Sequence, residues 1–250
     1  MEENNLIFGI RAVMEALKAG KEIDKILIKK DLQGELAQEL FAAVKGTNIF
    51  IQRVPIEKIN RITRKNHQGV IAFISPVSYL RLENIVPTLY EEGKIPFIVL
   101  LDGLTDVRNF GAIARTCECA GVDAIVIPER GSVSVTPDAV KTSAGALNYT
   151  PVAKVTNLVK TMDELKKQGM WFVCGDMGGD SMYSLDLTGP MGVVIGNEGE
   201  GVSRLVKENC DFVATIPMFG DIDSLNASVA MGVLSYEIVR QRMAKKGEIK

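Results

Sequence analysis

Two loops near the C-terminal end concentrate the residues best suited to gripping a bound small molecule. The first follows the apolar run Gly192-Val-Val-Ile195 and reads Gly196-Asn197-Glu198-Gly199-Glu200-Gly201. The second follows Ile216 and reads Pro-Met-Phe-Gly220-Asp-Ile-Asp-Ser224-Leu225-Asn226. Each leads from a strand-like run through Gly, Asn, Ser and acidic residues into a helix-like one. Glycine lets backbone N–H and C=O groups approach a ligand that a side chain would hold off. Loops at the carboxyl ends of strands are also where open α/β sheets bind ligands. The chemistry permitted is a backbone grip on a flat, polar-edged molecule.

A third polar cluster lies upstream, at Arg61-Ile-Thr-Arg64-Lys65-Asn66-His67-Gln68-Gly69. Cations, amides and a closing glycine suit contact with a phosphate backbone; a solvated surface turn has the same composition. His67 is the single histidine. A Ser-His-Asp triad in the C-terminal half is therefore excluded, and one histidine argues against a conventional zinc site, so no metal is expected. Chemistry must run on Arg, Asn, Glu, Ser or a cofactor. Cys117, Cys119, Cys174 and Cys210 form no CxxC pair and read as reduced thiols of a cytoplasmic protein.

A chain of 250 residues at 46% hydrophobic content suffices for one or two buried cores. No apolar run approaches the roughly 18 residues that span a bilayer. The opening Met1-Glu-Glu-Asn-Asn is too acidic and polar for a signal or transit peptide, so no membrane partner is expected. The net charge of −2 divides unevenly. Residues 1–78 carry twelve Lys and Arg against nine Asp and Glu, and residues 79–250 carry seventeen against twenty-two. A basic small half on an acidic larger one suits a polyanion-facing module joined to a small-molecule-binding core.

Strands and helices must alternate to present these loops. An amphipathic helix is predicted from Ile10 to Gly20, a strand at Ile26–Ile28, and a helix within Leu32–Val44. A strand at 48–54, a short helix from Pro55 and a strand at Val70–Ile74 follow. That α-β-α-β-α-β order predicts a small α/β/α sandwich over residues 1–78. Pro76, Pro87, Gly93 and Pro96 surround one amphipathic segment, Leu80–Tyr90, which marks 79–95 as a linker containing a helix. Beyond it, strands are predicted at Phe97–Leu101, Ala124–Ile127, Trp171–Cys174, Val193–Ile195 and Phe212–Ile216. Helices are predicted at Asn109–Ala120, Pro137–Ala146, Leu158–Gln168, Val202–Asn209 and Asn226–Ala244. Continuous apolar strands alternating with helices indicate a parallel sheet covered on both faces.

The two C-terminal loops resemble the second and third motifs of the SpoU (TrmH-type) RNA ribose methyltransferases. That family's first motif is Asn, a Gly two residues on and Arg six residues on, and the chain has Asp106-Val-Arg-Asn109-Phe-Gly111-Ala-Ile-Ala-Arg115-Thr116. Three motifs in order over about 120 residues are a specific signal, nearest to the RlmB-like branch. The resemblance implies S-adenosylmethionine as cofactor and a ribose 2′-hydroxyl of RNA as acceptor, with a guanosine of 23S ribosomal RNA as target. It also implies a ribosomal-protein-like RNA-binding domain over 1–78 and a catalytic domain over 96–250 whose C-terminal part is a deep trefoil knot.

Carried over residue by residue, it makes Asn109, Arg115, Glu198, Ser224 and Asn226 the catalytic set. Gly196, Ile216 and Leu225 present backbone to the cofactor, and Arg61, Arg64, Lys65 and His67 contact RNA. Arg115 works at the acceptor hydroxyl. A guanidinium stays protonated, so its economical role is to hold a phosphate or stabilise a developing alkoxide. Asn109 is placed to cap its helix and to hold Arg115 or the ribose. Glu198 is placed to fix Arg115 by a charge-assisted bond. One departure from the motif is Val107, where proline is usual. Losing proline's fixed φ loosens the loop without removing a reactive group.

Three other readings compete. The first is a tRNA ribose methyltransferase on the same fold, against which the RNA-binding domain argues. The second is a Rossmann oxidoreductase. Against it, the glycines of 196–201 are spaced GxxGxG rather than GxGxxG and follow a late strand. The third is a non-catalytic RNA-binding protein, against which the intact motif residues argue. The last helix is apolar nearly all round over Val229–Val239 and needs burial on more than one side, which predicts a homodimer through the catalytic domain.

Overall fold

The computed structural model describes residues 5–47, 49–222 and 224–248. Residues 1–4 of the polar N-terminal segment, position 48 at the expected start of a strand, and position 223 of the second loop lie outside them. Contacts divide the chain into two compact units, Met1–Ser78 with Ser134–Pro137 and Tyr79–Val133 with Asp138–Lys250.

The smaller unit is organised by alternation along its strands. Its sheet runs β1 (Leu6–Phe8), β4 (Val70–Ile74), β2 (Ile23–Lys29), β3 (Phe50–Val54). β4 is antiparallel to both neighbours, and β2 is parallel to β3. Successive side chains of β2 point to opposite faces. Ile26 and Ile28 pack with Val13 of α1 (Ile10–Lys18) and Leu40 of α2 (Glu35–Val44). Leu27 packs with Ile59 of α3 (Ile56–Ile62). This is an α/β/α sandwich.

Strand β1 was not expected, because three residues carry too little periodicity to show. Gly9 separates it from α1 at φ +92, and the Gly9 N–H reaches the Val70 carbonyl at 3.0 Å. The element order is therefore β-α-β-α-β-α-β rather than α-β-α-β-α-β.

The larger unit is a sheet of seven parallel strands, ordered β11-β9-β10-β6-β7-β8-β5. These are β5 (Tyr79–Leu80), β6 (Phe97–Asp102), β7 (Ala124–Pro128), β8 (Val152–Val155), β9 (Trp171–Ser181), β10 (Met191–Gly196) and β11 (Phe212–Thr215). One face, with Ile98, Leu100, Phe172 and Val194, is covered by α4 (Ile85–Glu91), α7 (Leu158–Lys166) and α8 (Arg204–Glu208). α9 (Ala227–Lys246) packs on β9 and β10, and α5 (Val107–Cys119) packs on α9.

Three segments depart from expectation. Residues 79–95 are no free connector: β5 pairs with β8, and Leu82 and Val86 join the core. Strand β8 is short and carries Lys154, which hid it. The helix expected over 137–146 stops as α6 (Pro137–Thr142), because Ala144 and Gly145 take φ +51 and +87 before a 3₁₀ turn at Ala146–Asn148.

Parallel strands bring their carboxyl ends to one edge, so the loops after β6, β9, β10 and β11 converge. Leu100, fully buried at the centre of β6, holds that edge in place. Leu100→Ala is expected to destabilise the larger unit by about 2–5 kcal/mol, read as a lower urea midpoint.

Candidate active site

The turn after β10 closes on itself. The Asn197 side-chain oxygen accepts the Gly199 and Glu200 N–H groups at 2.9 and 2.7 Å, and the Gly201 N–H returns to the Asn197 carbonyl at 3.0 Å. A Cβ on Gly196 would lie 2.0 Å from the Gly201 carbonyl, so only glycine fits. Beyond the turn, Asp102 at the end of β6 accepts the Ser203 N–H at 2.7 Å. The loop is thereby tied to the neighbouring strand before α8 begins.

Strand β9 supplies the opposite wall and runs past Cys174, where the apolar run ends. It continues through Gly175-Asp-Met-Gly-Gly179, with an irregular register against β11 between Val213 and Ala214. Thr215 stitches the irregularity. Its hydroxyl contacts the Asp176 and Gly179 carbonyls, both at 3.1 Å, and accepts the Gly179 N–H at 3.0 Å. Gly179 lies so close to β11 that a Cβ would meet the Val213 carbonyl at 2.1 Å. Asp176 pairs with Lys207 of α8 at 2.8 Å, and that carboxylate raises the lysine pKa. Glycines following an apolar strand were the available signal for this wall.

These walls enclose a cleft of about 640 Å³. Gly196, Ile216, Leu225, Glu198 and Ser224 all line it, together with Asp176. Ile216 is half-buried, and Leu225 is 38% exposed on the cleft rather than in the core. Glycine backbone, aliphatic side chains and a few acids surround the space, and no lysine, arginine or histidine lines it among the described residues.

At the rim, three distant segments meet. Asn109 donates its side-chain amide to Glu198 Oε1, and Asn226 Nδ2 donates to Asn109 Oδ1 at 3.1 Å. Helix caps fix two of the three. Asp106 caps α5 by accepting the Arg108 and Asn109 N–H groups at 2.7 and 2.9 Å. Asn226 caps α9 by accepting the Ser228 N–H at 2.9 Å. The cap of α5 is thus Asp106, not Asn109, whose side chain is free to join Glu198. The expected bond between Glu198 and Arg115 is not formed: Glu198 is engaged by Asn109. Arg115 is exposed on α5, six residues beyond Asn109, and enters no ion pair among the described residues. Ser224 is exposed beside the cleft.

In the smaller unit, Arg61 and Arg64 line an open groove of about 790 Å³ with Glu57, Asn60 and Thr63. The Lys65 ammonium lies 5.4 Å from the centre of the Phe8 ring. His67 is half-buried, and both ring nitrogens are used. Nδ1 accepts the Gly69 N–H at 3.0 Å, which leaves Nε2 to donate to Asn60 Oδ1 at 2.8 Å. Its work is to shape the loop that presents the arginines.

Comparison with known proteins gives this arrangement its relatives. Residues 96–236 match the SpoU rRNA methylase family, and residues 6–80 match the substrate-binding domain of RNA 2′-O ribose methyltransferases. The chain belongs to the SpoU family. A Staphylococcus saprophyticus protein assigned to the TrmH family of tRNA/rRNA methyltransferases is 41% identical over 241 residues, covering 96% of this chain and 97% of that one. The SpoU methyltransferase AviRb from Streptomyces viridochromogenes, solved in complex with AdoMet, is 26% identical with a TM-score of 0.61 and covers 96% of this chain and 90% of that one. The A. aeolicus TrmH/SpoU tRNA-modifying enzyme is 32% identical with a TM-score of 0.56, covering 67% of this chain and 87% of that one. Among the described residues, no helix is long and apolar enough to cross a membrane.

The SpoU turn at Gly196 yields a direct test. Gly196→Ala is expected to push the Gly201–Val202 peptide away from β10 and to cost several degrees of thermal midpoint, measured by calorimetry. An unchanged midpoint would show that the turn relaxes freely.

Proposed function

We propose that this chain transfers the methyl group of S-adenosylmethionine to a ribose 2′-hydroxyl of RNA, with a guanosine of 23S ribosomal RNA as acceptor. The observation that carries the reading is the chain of hydrogen bonds Glu198–Asn109–Asn226. It joins three separate segments on the rim of a cleft that also holds Gly196, Ile216 and Leu225.

The cofactor supplies a methyl group on a sulfonium, already activated for transfer. The cleft suits such a molecule. Gly196 lines it, its missing Cβ letting the turn after β10 close against the Gly201–Val202 peptide, and Ile216 and Leu225 offer apolar contact to a flat base. These three residues hold the adenosine; Asn109, Glu198, Ser224 and Asn226 orient the acceptor ribose. Bound there, the cofactor would supply a methyl carbon to the 2′-oxygen, its sulfonium leaving as a neutral thioether and the hydroxyl proton passing to solvent. Arg115 stays protonated and acts by holding the acceptor phosphate or the oxygen as negative charge develops. Arg61, Arg64 and Lys65 grip the RNA backbone, with His67 setting the loop. A deep trefoil knot around the cofactor loops belongs to the same reading.

The match of residues 96–236 to a family described by ribosomal RNA supports the rRNA target. The tRNA-modifying structure covers only 67% of this chain. Incubation of unmodified ribosomal RNA and tRNA with labelled S-adenosylmethionine, followed by nucleoside mass spectrometry, decides between them. 2′-O-methylguanosine in 23S RNA is the expected product; label confined to tRNA would replace the acceptor, and no label in either would end the reading.

Arg115→Ala is expected to abolish single-turnover methylation while cofactor affinity stays within a few-fold, because its work is at the acceptor. Activity near that of the unmodified chain would refute this role.

The chain is also proposed to form a two-fold dimer through the larger unit. Val229 and Tyr236 of α9 are each 49% exposed, and Phe219 and Ile222 of the preceding loop are 98% and 78% exposed. Met231, Leu234 and Ile238 are already buried, so the remaining apolar surface needs a second cover. Light scattering should give twice the chain mass, and Tyr236→Glu should give a single chain. A fully active monomer would sink the proposal.

A further inference from the structure

Helix α5 carries more cationic surface than the methyl-transfer reading uses. Arg108 and Arg115 are seven residues apart, two helical turns, so they share one stripe about 10 Å long. Both are exposed. Between them on that stripe is Gly111, where a Cβ would lie 2.6 Å from the Thr142 side chain. The missing side chain lets the end of α6 seat directly on α5, which brings Lys141, also exposed, to the same surface. None of the three cations enters an ion pair among the described residues. The neighbouring acid Asp106 is occupied as the α5 cap. Glu118 and Asp138 bound the patch along the chain.

The turn after α6 is rigid, and it displays an aromatic ring. Ser143 is fully buried; its hydroxyl donates to the Val140 carbonyl at 2.8 Å and accepts the Leu147 N–H at 3.3 Å. Ala144 is held at φ +51, a conformation unfavourable to a non-glycine residue that persists only where its surroundings impose it. Ala146 and Leu147 are buried anchors, and the 3₁₀ turn they begin packs on α5. The next exposed large side chain is Tyr149, at 79%. A phenol ring left in water by a fixed turn that packs on the helix carrying two of the unpaired cations is a combination suited to single-stranded nucleic acid. Cations track phosphates, and the ring stacks on a base. A duplex keeps its bases stacked and offers the ring no partner.

We propose that the larger unit has its own RNA surface, made by Arg108, Arg115, Lys141 and Tyr149, which holds a single-stranded segment flanking the nucleotide to be methylated. The proposal rests on the RNA methyltransferase reading for its substrate, and its test separates the two. Anisotropy of a labelled short uridine-rich single strand, and of an RNA duplex of equal length, is measured on the full chain across a salt series. Arg108→Ala and Lys141→Ala should each weaken single-strand binding and reduce the slope of log K against log salt by about 0.7. Tyr149→Ala should weaken it about tenfold with the slope unchanged, and Tyr149→Phe should restore it. With rRNA as substrate, the same variants should raise KM for RNA while kcat at saturating RNA and cofactor affinity hold. Unchanged affinity and slope in all variants would overturn the surface, as would an equal loss on the duplex. Binding that behaves as stated in a chain that methylates no RNA would overturn the functional reading and leave the surface standing.

Discussion

The backbone approach at Gly196 is the constraint on which the site depends. With a Cβ there 2.0 Å from the Gly201 carbonyl, the turn after β10 can close only around glycine. Once closed, it fixes Glu198 at the rim and, through Asp102 and Ser203, the entry to α8. The same device recurs at Gly179, where β9 meets β11. Both walls of the cleft are therefore backbone pressed on backbone. Such contacts do not depend on the rotamer of any side chain, so the cleft is shaped before a ligand arrives.

Helix ends then set the polar groups. α5 and α9 both begin at the carboxyl edge of the sheet, and the partial positive charge of helix N-termini favours anions there. Capping by Asp106 and Asn226 satisfies the first N–H groups. It also orients the Asn109 and Asn226 amides so that each donates in one direction, toward Glu198. Arg115 stands outside this chain of bonds, on a different side of α5 from Asn109. That separation suits a group whose partner is the RNA rather than the protein.

Much of this was legible in the sequence, and the failures share a cause. Unbroken apolar runs of three to five residues gave β6, β7 and β10, and the amphipathic helices fell within a few residues of their observed ends. Short elements did not show: β1 has three residues, β5 two and β8 four, and their pairing is decided by partners distant in sequence. The Gly175–Gly179 wall lay beyond the expected end of its strand because glycine is poor in strands, although here it permits the close approach of β11. Motif spacing located Asn109, Glu198 and Asn226, but not which of them bond. Glu198 was expected at Arg115, and only the fold shows that Asn109 engages it instead. His67 was placed by its charge-bearing neighbours, whereas its ring nitrogens are occupied in holding the loop.

The division of labour has a physical consequence. Under the proposed function the cofactor is gripped by backbone, and such contacts tolerate change in most side chains around them, so the grip on adenosine would be insensitive to sequence apart from its glycines. The acceptor contacts proposed above fall to side chains on α5, on the turn after α6 and on the loop after α3, which lie in separate elements and can vary independently. A scaffold built this way keeps one methyl donor while changing the RNA it serves. The sequence differences that distinguish one acceptor from another should therefore concentrate at exposed positions such as Arg108, Lys141, Tyr149, Arg61 and Arg64, and leave the Gly196 turn and the Glu198–Asn109–Asn226 bonds alone.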